Sequence, residues 1–228
     1  MQNEPNQLTR RSFLQKTSAA SAATSITALA SAFGQGAHAG GDDEIKIGLI
    51  GCGGRGTGAA SQALIATDTA VKLWAMGDLF ADQIEASHKL LTTGAEGRYD
   101  RQAFPSLSKK MDVPQDRRFA GFDCFQKVID SGVDMVILAT PPGFRPEHFE
   151  AAVKADKHVF MEKPVAVDPP GIRRVIAAAQ EAKNKKLSVV AGTQRRHQNH
   201  YIEIMKRVQD GAIGDIVAGQ CYWNMGPL

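Results

Sequence analysis

Short runs of apolar residues recur along the chain from Ile45 onward, separated by longer segments whose apolar positions have helical spacing. The runs are continuously apolar and bounded by Gly, Asp or Pro, which is typical of strands buried on both faces of a sheet. They predict strands at 45–50, 71–76, 134–139, 157–161, 187–191 and 216–223. The intervening segments predict helices at about 56–67, 80–91, 122–131, 145–155, 169–185 and 198–210.

The regular alternation of strands and helices predicts the fold class. Such a chain folds as an α/β, doubly wound, mostly parallel sheet with right-handed crossovers. Asp168-Pro169 supports one helix start, since Asp is a good N-cap and Pro is favoured at the first helical position. Residues 93–121 interrupt the alternation because they are long, polar and proline-containing. We interpret them as an irregular surface excursion with a short edge strand near Phe119.

The first 39 residues have the pattern of an export signal. Arg10 and Arg11 stand in the sequence TRRSFL, and about twenty uncharged small or apolar residues follow at 18–37. Ala37-His38-Ala39 then gives the small-x-small pattern of a signal peptidase site. The combination resembles a twin-arginine signal, which predicts a processed leader at 1–39, a linker at 40–44 and a periplasmic or extracytoplasmic protein exported in folded form. The apolar region is rich in Ala, Ser and Thr, so a membrane anchor is the weaker alternative.

Most of the net charge of +3 belongs to this leader, which holds three basic and one acidic side chain, against 24 basic and 23 acidic in the remainder. A nearly neutral chain lacks the basic face that nucleic-acid binding needs, so we expect no nucleic-acid partner. The three cysteines, Cys52, Cys124 and Cys221, are widely spaced. Because an odd number makes a poor disulfide framework, we interpret them as buried small hydrophobic residues.

A glycine-rich turn joins the first predicted strand to the first helix. Gly51, Gly53 and Gly56, in GCGGRG, match the pattern G-x-G-x-x-G. The first glycine would allow a tight turn, the second would let the backbone approach a pyrophosphate, and the third would let the helix pack on the strand. Free N–H groups and the positive end of the helix dipole face such a loop. We therefore expect this loop, with Gly54 and Arg55, to bind a dinucleotide.

The second predicted strand ends in an acidic residue, Asp78, which lies 27 residues after Gly51. This is somewhat farther than the usual separation of about 20 residues from the motif. A carboxylate at this point accepts hydrogen bonds from the adenosine ribose and repels a 2′-phosphate, which favours NAD over NADP. Two alternatives remain open: Arg55 could help to bind either cofactor, and Asp78 could instead cap the helix that follows it.

Two further strand ends carry candidate chemistry: Thr140-Pro141-Pro142 follows the strand at 134–139, and Glu162-Lys163-Pro164 follows the strand at 157–161. Carboxyl ends of parallel strands open into the ligand crevice of a doubly wound sheet. A lysine beside a nicotinamide can bond the substrate hydroxyl and take its proton as hydride departs, with partial burial lowering its pKa. The alternatives are a surface Glu-Lys-Pro tripeptide and a simple proline turn.

The segments GLIGCGGRG, ATPPGFRPEH and KHVFMEKPVAVD, in this order and spacing, resemble the glucose–fructose oxidoreductase, inositol dehydrogenase and rhizopine catabolism (Gfo/Idh/MocA) family, from about residue 45 to the end. The resemblance implies an NAD(P)-binding Rossmann domain at 45–195 and an oxidoreductase that acts on CH–OH groups. Catalytic Lys163 would contact both substrate and nicotinamide. The resemblance also implies cofactor contacts for these residues: Thr140, Pro141, His148, Glu162, Lys163 and Gln194. Arg195 and Arg196, beside Gln194, would either reach toward the active site or be solvated.

The resemblance further implies a second, α+β domain, of which this chain carries only the start. Residues 196–228 resemble the crossover helix and the beginning of that domain's first strand, near Gly214-Asp215-Ile216-Val217. The histidine that the second domain of the family supplies for catalysis has no counterpart that we can name. We therefore expect the amino-terminal portion of a longer protein, and the alternative is a truncated nucleotide-binding protein without catalysis.

The function that the resemblance implies is hydride transfer between NAD and a sugar, polyol or related carbohydrate-like compound, by a homo-oligomer if the second domain is present. An NAD-dependent glycosidase of the same superfamily is the alternative, but such members tend to replace the lysine that Lys163 matches. His197 and His200 are spaced i, i+3. No third ligand with fitting spacing is evident, so no metal site is predicted.

Overall fold

The computed structural model describes residues 44–66, 70–95, 105–222 and 224. The strands within them are β1 (Ile45–Ile50), β2 (Val71–Asp78), β3 (Arg118–Ala120), β4 (Met135–Leu138), β5 (His158–Met161) and β6 (Val189–Ala191). The α-helices are α1 (Gly54–Ile65), α2 (Ala81–Thr93), α3 (Cys124–Asp130), α4 (Arg145–Lys154), α5 (Pro169–Asn184) and α6 (Asn199–Gln209). The predicted leader and linker up to residue 43 lie outside the described residues.

The strands form one six-stranded sheet in the order β3-β2-β1-β4-β5-β6, and every neighbouring pair is parallel. This is the strand order of a doubly wound dinucleotide-binding sheet, and the predicted fold class is therefore confirmed. The chain proceeds from β1 to β3 toward one side of the sheet and from β4 to β6 toward the other side. The topological switch point therefore lies between the neighbouring strands β1 and β4. Because all strands are parallel, the loops that follow β1, β2, β4 and β5 meet at one edge, where the crevice of this fold lies.

Apolar side chains from alternate strand positions fill a layer on each face of the sheet. On β1, Leu49 belongs to the layer beneath α1 and α2, whereas Ile50 belongs to the layer beneath α3, α4 and α5. Both residues are fully buried. This two-sided burial is why the strands are continuously apolar in sequence. Helix α5 begins as predicted, since Asp168 Oδ1 accepts the N–H of Gly171 at 2.7 Å and prolines occupy the first helical positions.

The predicted excursion at 93–121 is irregular in the part that the structure describes. It contains 3₁₀ turns at Ser108–Lys110 and Gln115–Arg117, followed by β3 at the edge of the sheet, which includes Phe119 as expected. Residues 96–104 lie outside the described residues. Across the described ranges, no helix is long and apolar enough to cross a membrane.

The strand predicted at 216–223 is wrong for residues 216–222, which have no regular secondary structure. Ile216 is 67% exposed and Val217 is 95% exposed. An apolar run becomes a strand only where a neighbouring strand pairs with its N–H and C=O groups, and none of the described strands pairs with this segment. The prediction that all three cysteines are buried is wrong for Cys221, which is exposed in the same segment. Cys52 and Cys124 are buried and form no disulfide.

Candidate active site

A crevice of about 510 Å³ opens at the carboxyl edge of the sheet, between the loops that follow β1, β2, β4 and β5. Most of the predicted site residues line it together: Gly51, Gly53, Arg55, Asp78, Thr140, Pro141, His148, Glu162 and Lys163. Gly54 and Gly56 belong to the same loop and helix start but are not among the lining residues. Gln194 lines a neighbouring cavity instead.

The glycines of the β1–α1 loop have different surroundings. Gly51 has a φ of +96°, and a Cβ there would lie 2.6 Å from the backbone N of Thr140. A Cβ at Gly56 would lie 1.8 Å from the carbonyl oxygen of Gly51, so α1 packs directly on the turn. A Cβ at Gly53 would have no protein atom within 4 Å. The turn and packing roles predicted for Gly51 and Gly56 are present, and the pyrophosphate contact of Gly53 stays a prediction.

Asp78, at the end of β2, is hydrogen-bonded to the glycine-rich loop. Its Oδ2 accepts the N–H of Cys52 at 2.6 Å, and its Oδ1 accepts the N–H of Phe80 at 3.0 Å, just before α2. The turn-capping role and a ribose-binding role are compatible, because each carboxylate oxygen has a second lone pair. Burial, and then the charge of Asp78, raises the pKa of the Cys52 thiol, which therefore stays protonated near neutral pH.

Glu162 and Arg55 form an ion pair that the sequence analysis did not anticipate. Arg55 Nη2 lies 2.6 Å from Glu162 Oε1, and the Glu162 side chain is only 6% exposed. A Cβ at Gly192 would lie 2.9 Å from the same oxygen, so the carboxylate is packed against the backbone that follows β6. A buried carboxylate needs such a partner to offset its desolvation. The two residues are far apart in sequence, and no spacing rule links them.

Lys163 lies at the junction of two cavities. It lines the crevice and also a second cavity of about 840 Å³, together with Arg55, Glu162 and residues 192–196. The partial burial that we expected for Lys163 is not found, because the side chain is exposed. Glu162 is buried, but within the described residues no element covers Lys163, which follows it.

Arg145 is a buried cation that the sequence analysis missed. It is 2% exposed and begins α4. Its guanidinium donates from Nη1 to the carbonyl oxygen of Pro164 and from Nη2 to that of Thr140. Burial lowers the pKa of Arg145 while the nearby Glu162 opposes that shift. The guanidinium thus joins the loop after β4 to the loop after β5; the only sequence signal was an arginine within ATPPGFRPEH.

His148 packs into the wall of the crevice as a neutral ring. It stacks on Phe125 with centroids 4.2 Å apart, and its Nδ1 lies 3.2 Å from Thr140 Oγ1. Burial, and then the charge of Arg145, lowers the pKa of His148 to about 4. The cofactor contact predicted for His148 stays a prediction, and it would involve an uncharged imidazole. Elsewhere in the described ranges, no group of three or more His, Cys, Asp or Glu side chains could hold a metal ion.

These features together define a dinucleotide-binding protein of the Rossmann class, with a glycine-rich β1–α1 loop, an acidic β2 end and a Glu-Lys-Pro segment after β5. Comparison with known families is more specific. The family model described as oxidoreductase family, NAD-binding Rossmann fold (GFO_IDH_MocA) matches residues 45–191. The chain belongs to this family, which confirms the resemblance stated from its motifs.

Several curated relatives are inositol dehydrogenases. The NADP-dependent scyllo-inositol 2-dehydrogenase of Bacillus subtilis is 36% identical over 95 residues, covering 42% of this chain and 26% of that protein. Inositol 2-dehydrogenase of Salmonella typhimurium is 34% identical over 102 residues, covering 44% and 30%. Myo-inositol 2-dehydrogenase of Thermotoga maritima is 26% identical over 170 residues, covering 75% and 42%. The matched part of the chain thus spans less than half the length of each of these relatives.

Solved structures show the same fold. The scyllo-inositol dehydrogenase of Lactobacillus casei with bound NAD(H) and scyllo-inositol is 24% identical with a TM-score of 0.56, covering 76% of this chain and 43% of that one. Its apo form is 26% identical with a TM-score of 0.54, covering 76% and 44%. A 3-ketoreductase of Actinomadura kijaniata in complex with TDP-benzene and NADP is 21% identical with a TM-score of 0.55, covering 76% and 46%.

Proposed function

We propose that this protein is an NAD-dependent oxidoreductase that transfers hydride between nicotinamide and a CH–OH or carbonyl carbon of a sugar, polyol or related compound. The observation that carries the proposal is the position of Lys163, where the crevice of the glycine-rich loop meets the second cavity. A nicotinamide bound in the crevice would supply the hydride acceptor or donor. The names of the curated relatives, which are inositol dehydrogenases, support a hydroxyl-bearing substrate.

The described residues fit a dinucleotide. The backbone at Gly53 is unobstructed by side chains, and the start of α1 directs free N–H groups and a positive dipole end toward the crevice. The carboxylate of Asp78 is fixed at the end of β2 by two backbone N–H groups, where it would accept hydrogen bonds from a ribose. The same negative charge disfavours a 2′-phosphate, which is our reason for proposing NAD over NADP.

The catalytic role that we propose for Lys163 is proton transfer at the substrate oxygen. Its Nζ would take the hydroxyl proton during oxidation and return it during reduction. The Arg55–Glu162 pair and the Arg145 bridge hold the backbone on both sides of Lys163, which reduces the freedom of that segment. The neutral His148 ring, stacked on Phe125, gives the crevice an uncharged wall.

The first test is to purify the protein, denature it and quantify the released nucleotides, alongside Asp78→Ala and the matched variant Asp82→Ala. Asp82 is an exposed acid in the first turn of α2, away from the crevice lining. We expect NAD in the wild-type protein and in Asp82→Ala, and a marked loss in Asp78→Ala. NADP as the main nucleotide, or equal retention in both variants, would contradict the cofactor proposal.

Turnover separates the proposed dehydrogenase from the two alternatives. A dehydrogenase produces NADH when polyols or sugars are added, whereas a glycosidase using bound NAD releases an aglycone from a glycoside without net NADH. Lys163 favours the first outcome, because NAD-dependent glycosidases of this superfamily tend to replace the lysine that Lys163 matches. Cofactor binding with neither reaction would favour the nucleotide-binding protein without catalysis.

We also propose that the protein is exported by the twin-arginine route. The support is the leader sequence, with Arg10-Arg11, an uncharged apolar region and Ala37-His38-Ala39. Replacing both arginines by lysine (Arg10→Lys, Arg11→Lys) should leave unprocessed protein in the cytoplasm, while the nearby Lys16→Arg should be exported normally. Normal processing of the double variant would contradict this route.

A further inference from the structure

Arg55 lies where the pyrophosphate of a dinucleotide would bind, yet its guanidinium already contacts an anion of the protein. It is the second residue of α1 and lines the crevice together with Gly53. A helix N-terminus attracts phosphate groups through its free N–H groups and its positive dipole end, and an arginine beside it adds paired donors. In the structure, Nη2 of Arg55 instead lies 2.6 Å from Oε1 of Glu162. The guanidinium is therefore within reach of two anionic partners, one of which belongs to the protein.

The two members of this ion pair differ in their freedom to move. The side chain of Arg55 is 42% exposed, whereas that of Glu162 is 6% exposed. A Cβ at Gly192 would lie 2.9 Å from Oε1 of Glu162, so backbone atoms confine the carboxylate. Nη1 of Arg55 lies along the first turn of α1, 3.7 Å from the position of a Cβ at Gly58. Of the two side chains, the arginine is the one that can turn toward another anion.

A second cation acts on Glu162. Arg145 is buried and bonded to the carbonyl oxygens of Thr140 and Pro164. Burial lowers the pKa of Arg145, and the charge of Glu162 opposes that shift. The contact of Glu162 with Arg55 is short but lacks the geometry of a directed hydrogen bond, since Oε1 has no hydrogen-bond partner among the described residues. Releasing Arg55 therefore leaves Glu162 near another positive charge, which costs less than isolating a buried carboxylate.

We propose that Arg55 is shared between Glu162 and the pyrophosphate of the cofactor, so that Glu162 is an internal competitor of nucleotide binding. The pyrophosphate binds at the glycine-rich loop and draws the guanidinium of Arg55 away from Glu162. The apparent affinity of such a ligand falls in proportion to the fraction of protein in which the arginine is free. A ligand without a diphosphate leaves the ion pair intact and is insensitive to it. The inference rests on the proposed function, because that function places a dinucleotide in the crevice.

The test is a double-mutant cycle measured by calorimetry, on the full chain freed of bound nucleotide. The ligands are ADP-ribose, which carries the pyrophosphate but no nicotinamide, and AMP, which carries the same adenosine with one phosphate. The variants are Glu162→Gln, Arg55→Gln and the two together. The matched control is Glu150→Gln, which removes the carboxylate of another arginine pair, on α4, and lines neither cavity.

We expect Glu162→Gln to bind ADP-ribose about fivefold or more tightly than the wild-type protein, because Arg55 is then free to bind the pyrophosphate. AMP binding should stay unchanged, and Glu150→Gln should bind both ligands as the wild-type protein does. When residue 55 is glutamine, Glu162→Gln should no longer raise the affinity for ADP-ribose. Unchanged or weaker binding of ADP-ribose to a folded Glu162→Gln protein overturns the proposal, and so does an equal gain in the absence of Arg55.

A second measurement uses the wild-type protein and therefore does not depend on the folding of a variant. Phenylglyoxal modifies accessible guanidinium groups, and mass spectrometry of the peptides reports the modification of Arg55, with the exposed Arg173 as an internal reference. ADP-ribose should protect Arg55 more than AMP does, while Arg173 is modified equally in all samples. Equal modification of Arg55 with and without ADP-ribose overturns the proposal. The NAD recovered from denatured wild-type protein, measured separately, reports whether the cofactor part of the proposed function has failed as well.

Discussion

At the residue scale, the β1–α1 loop shows that one motif can combine structural and ligand-facing positions. Gly51 and Gly56 touch backbone atoms of the protein itself, so their lack of a side chain serves the fold. Gly53, the N-cap of α1, has open space where a side chain would be, and an extended backbone that any residue adopts. The two kinds of glycine should therefore respond differently to the same substitution.

Gly56→Ala should destabilise the protein by about 3 kcal/mol or more, because the new methyl group would overlap the Gly51 carbonyl oxygen. Gly53→Ala should lower the free energy of unfolding by about 1 kcal/mol or less, the usual loss for a weaker N-cap. It should nevertheless weaken nucleotide binding, because its methyl group faces the crevice. Urea unfolding combined with NAD titration measures both effects. Equal loss of stability in the two variants would contradict this assignment.

Lys163→Gln should lower kcat by a factor of about 10² to 10⁴. The amount of NAD recovered from the denatured protein should stay unchanged. The side chain is exposed, so the fold does not depend on it. Lys157→Gln is the matched control, since Lys157 precedes β5 at its opposite end and lines neither cavity. A Lys163→Gln enzyme with wild-type kcat would remove Lys163 from the catalytic role.

At the scale of the elements, the site depends on side chains that join loops from different strands. Arg145, at the start of α4, donates to carbonyl groups after β4 and after β5, and Arg55, on α1, pairs with Glu162 after β5. Each link spans two elements that the sheet brings close. Hydrogen bonds and an ion pair therefore join the loops that form the wall of the crevice.

Arg145→Gln should destabilise the protein by about 3 kcal/mol, because it leaves buried carbonyl oxygens without their donors. It should also weaken NAD binding, since Thr140 and the segment at Glu162 both line the crevice. The comparison is Arg174→Gln, an exposed arginine paired with Glu150, which should change stability by about 0.5 kcal/mol or less. If the two variants are equally stable, the bridge does not have this role.

The elements were predictable where local pattern and tertiary environment agree. Strand β4 is a short apolar run with buried side chains, and α5 begins at the Asp168-Pro169 signal. The run at 216–223 is also largely apolar but has no pairing strand among the described elements, so the pattern alone gave the wrong result. The bonds of Arg55 and Arg145 were not predictable, because they join sites that only the sheet order brings together.

At the scale of the whole molecule, the fold class followed from the alternation of strands and helices, because parallel sheets need buried strands and crossover helices. The candidate site followed in part, since the carboxyl ends of parallel strands share one edge. What the sequence could not show was the degree of burial. Lys163 is exposed and Arg145 is buried, although both are cationic residues.

The burial of His148 should couple the stability of the whole domain to pH. Its pKa is about 4 when folded and about 6.5 when unfolded, so between these values the unfolded chain binds more protons. Stability is therefore lost as pH falls below about 6.5, by about 2 kcal/mol from pH 7 to pH 5 for this residue alone. The lowered pKa of His88, caused by burial and then by Arg118, acts in the same direction.

Urea unfolding at pH 7 and pH 5 measures this coupling. In His148→Gln, the loss of unfolding free energy between pH 7 and pH 5 should be smaller by the part due to His148, while the part due to His88 should remain. His197→Gln, which replaces an exposed histidine, should keep the wild-type pH dependence. If His148→Gln lost as much unfolding free energy between pH 7 and pH 5 as the wild-type protein, the assignment to His148 would be contradicted.

The contact between Gly56 and Gly51 also bears on how this family is recognised in genomes. A descendant that stopped using its cofactor would still be unable to replace either glycine, because each contacts the protein's own backbone. Of the three glycines in the motif, only Gly53 could then be replaced by another residue. Retention of the outer glycines is thus a record of shared ancestry, whereas the residue found at the middle position tells whether selection for nucleotide binding has continued.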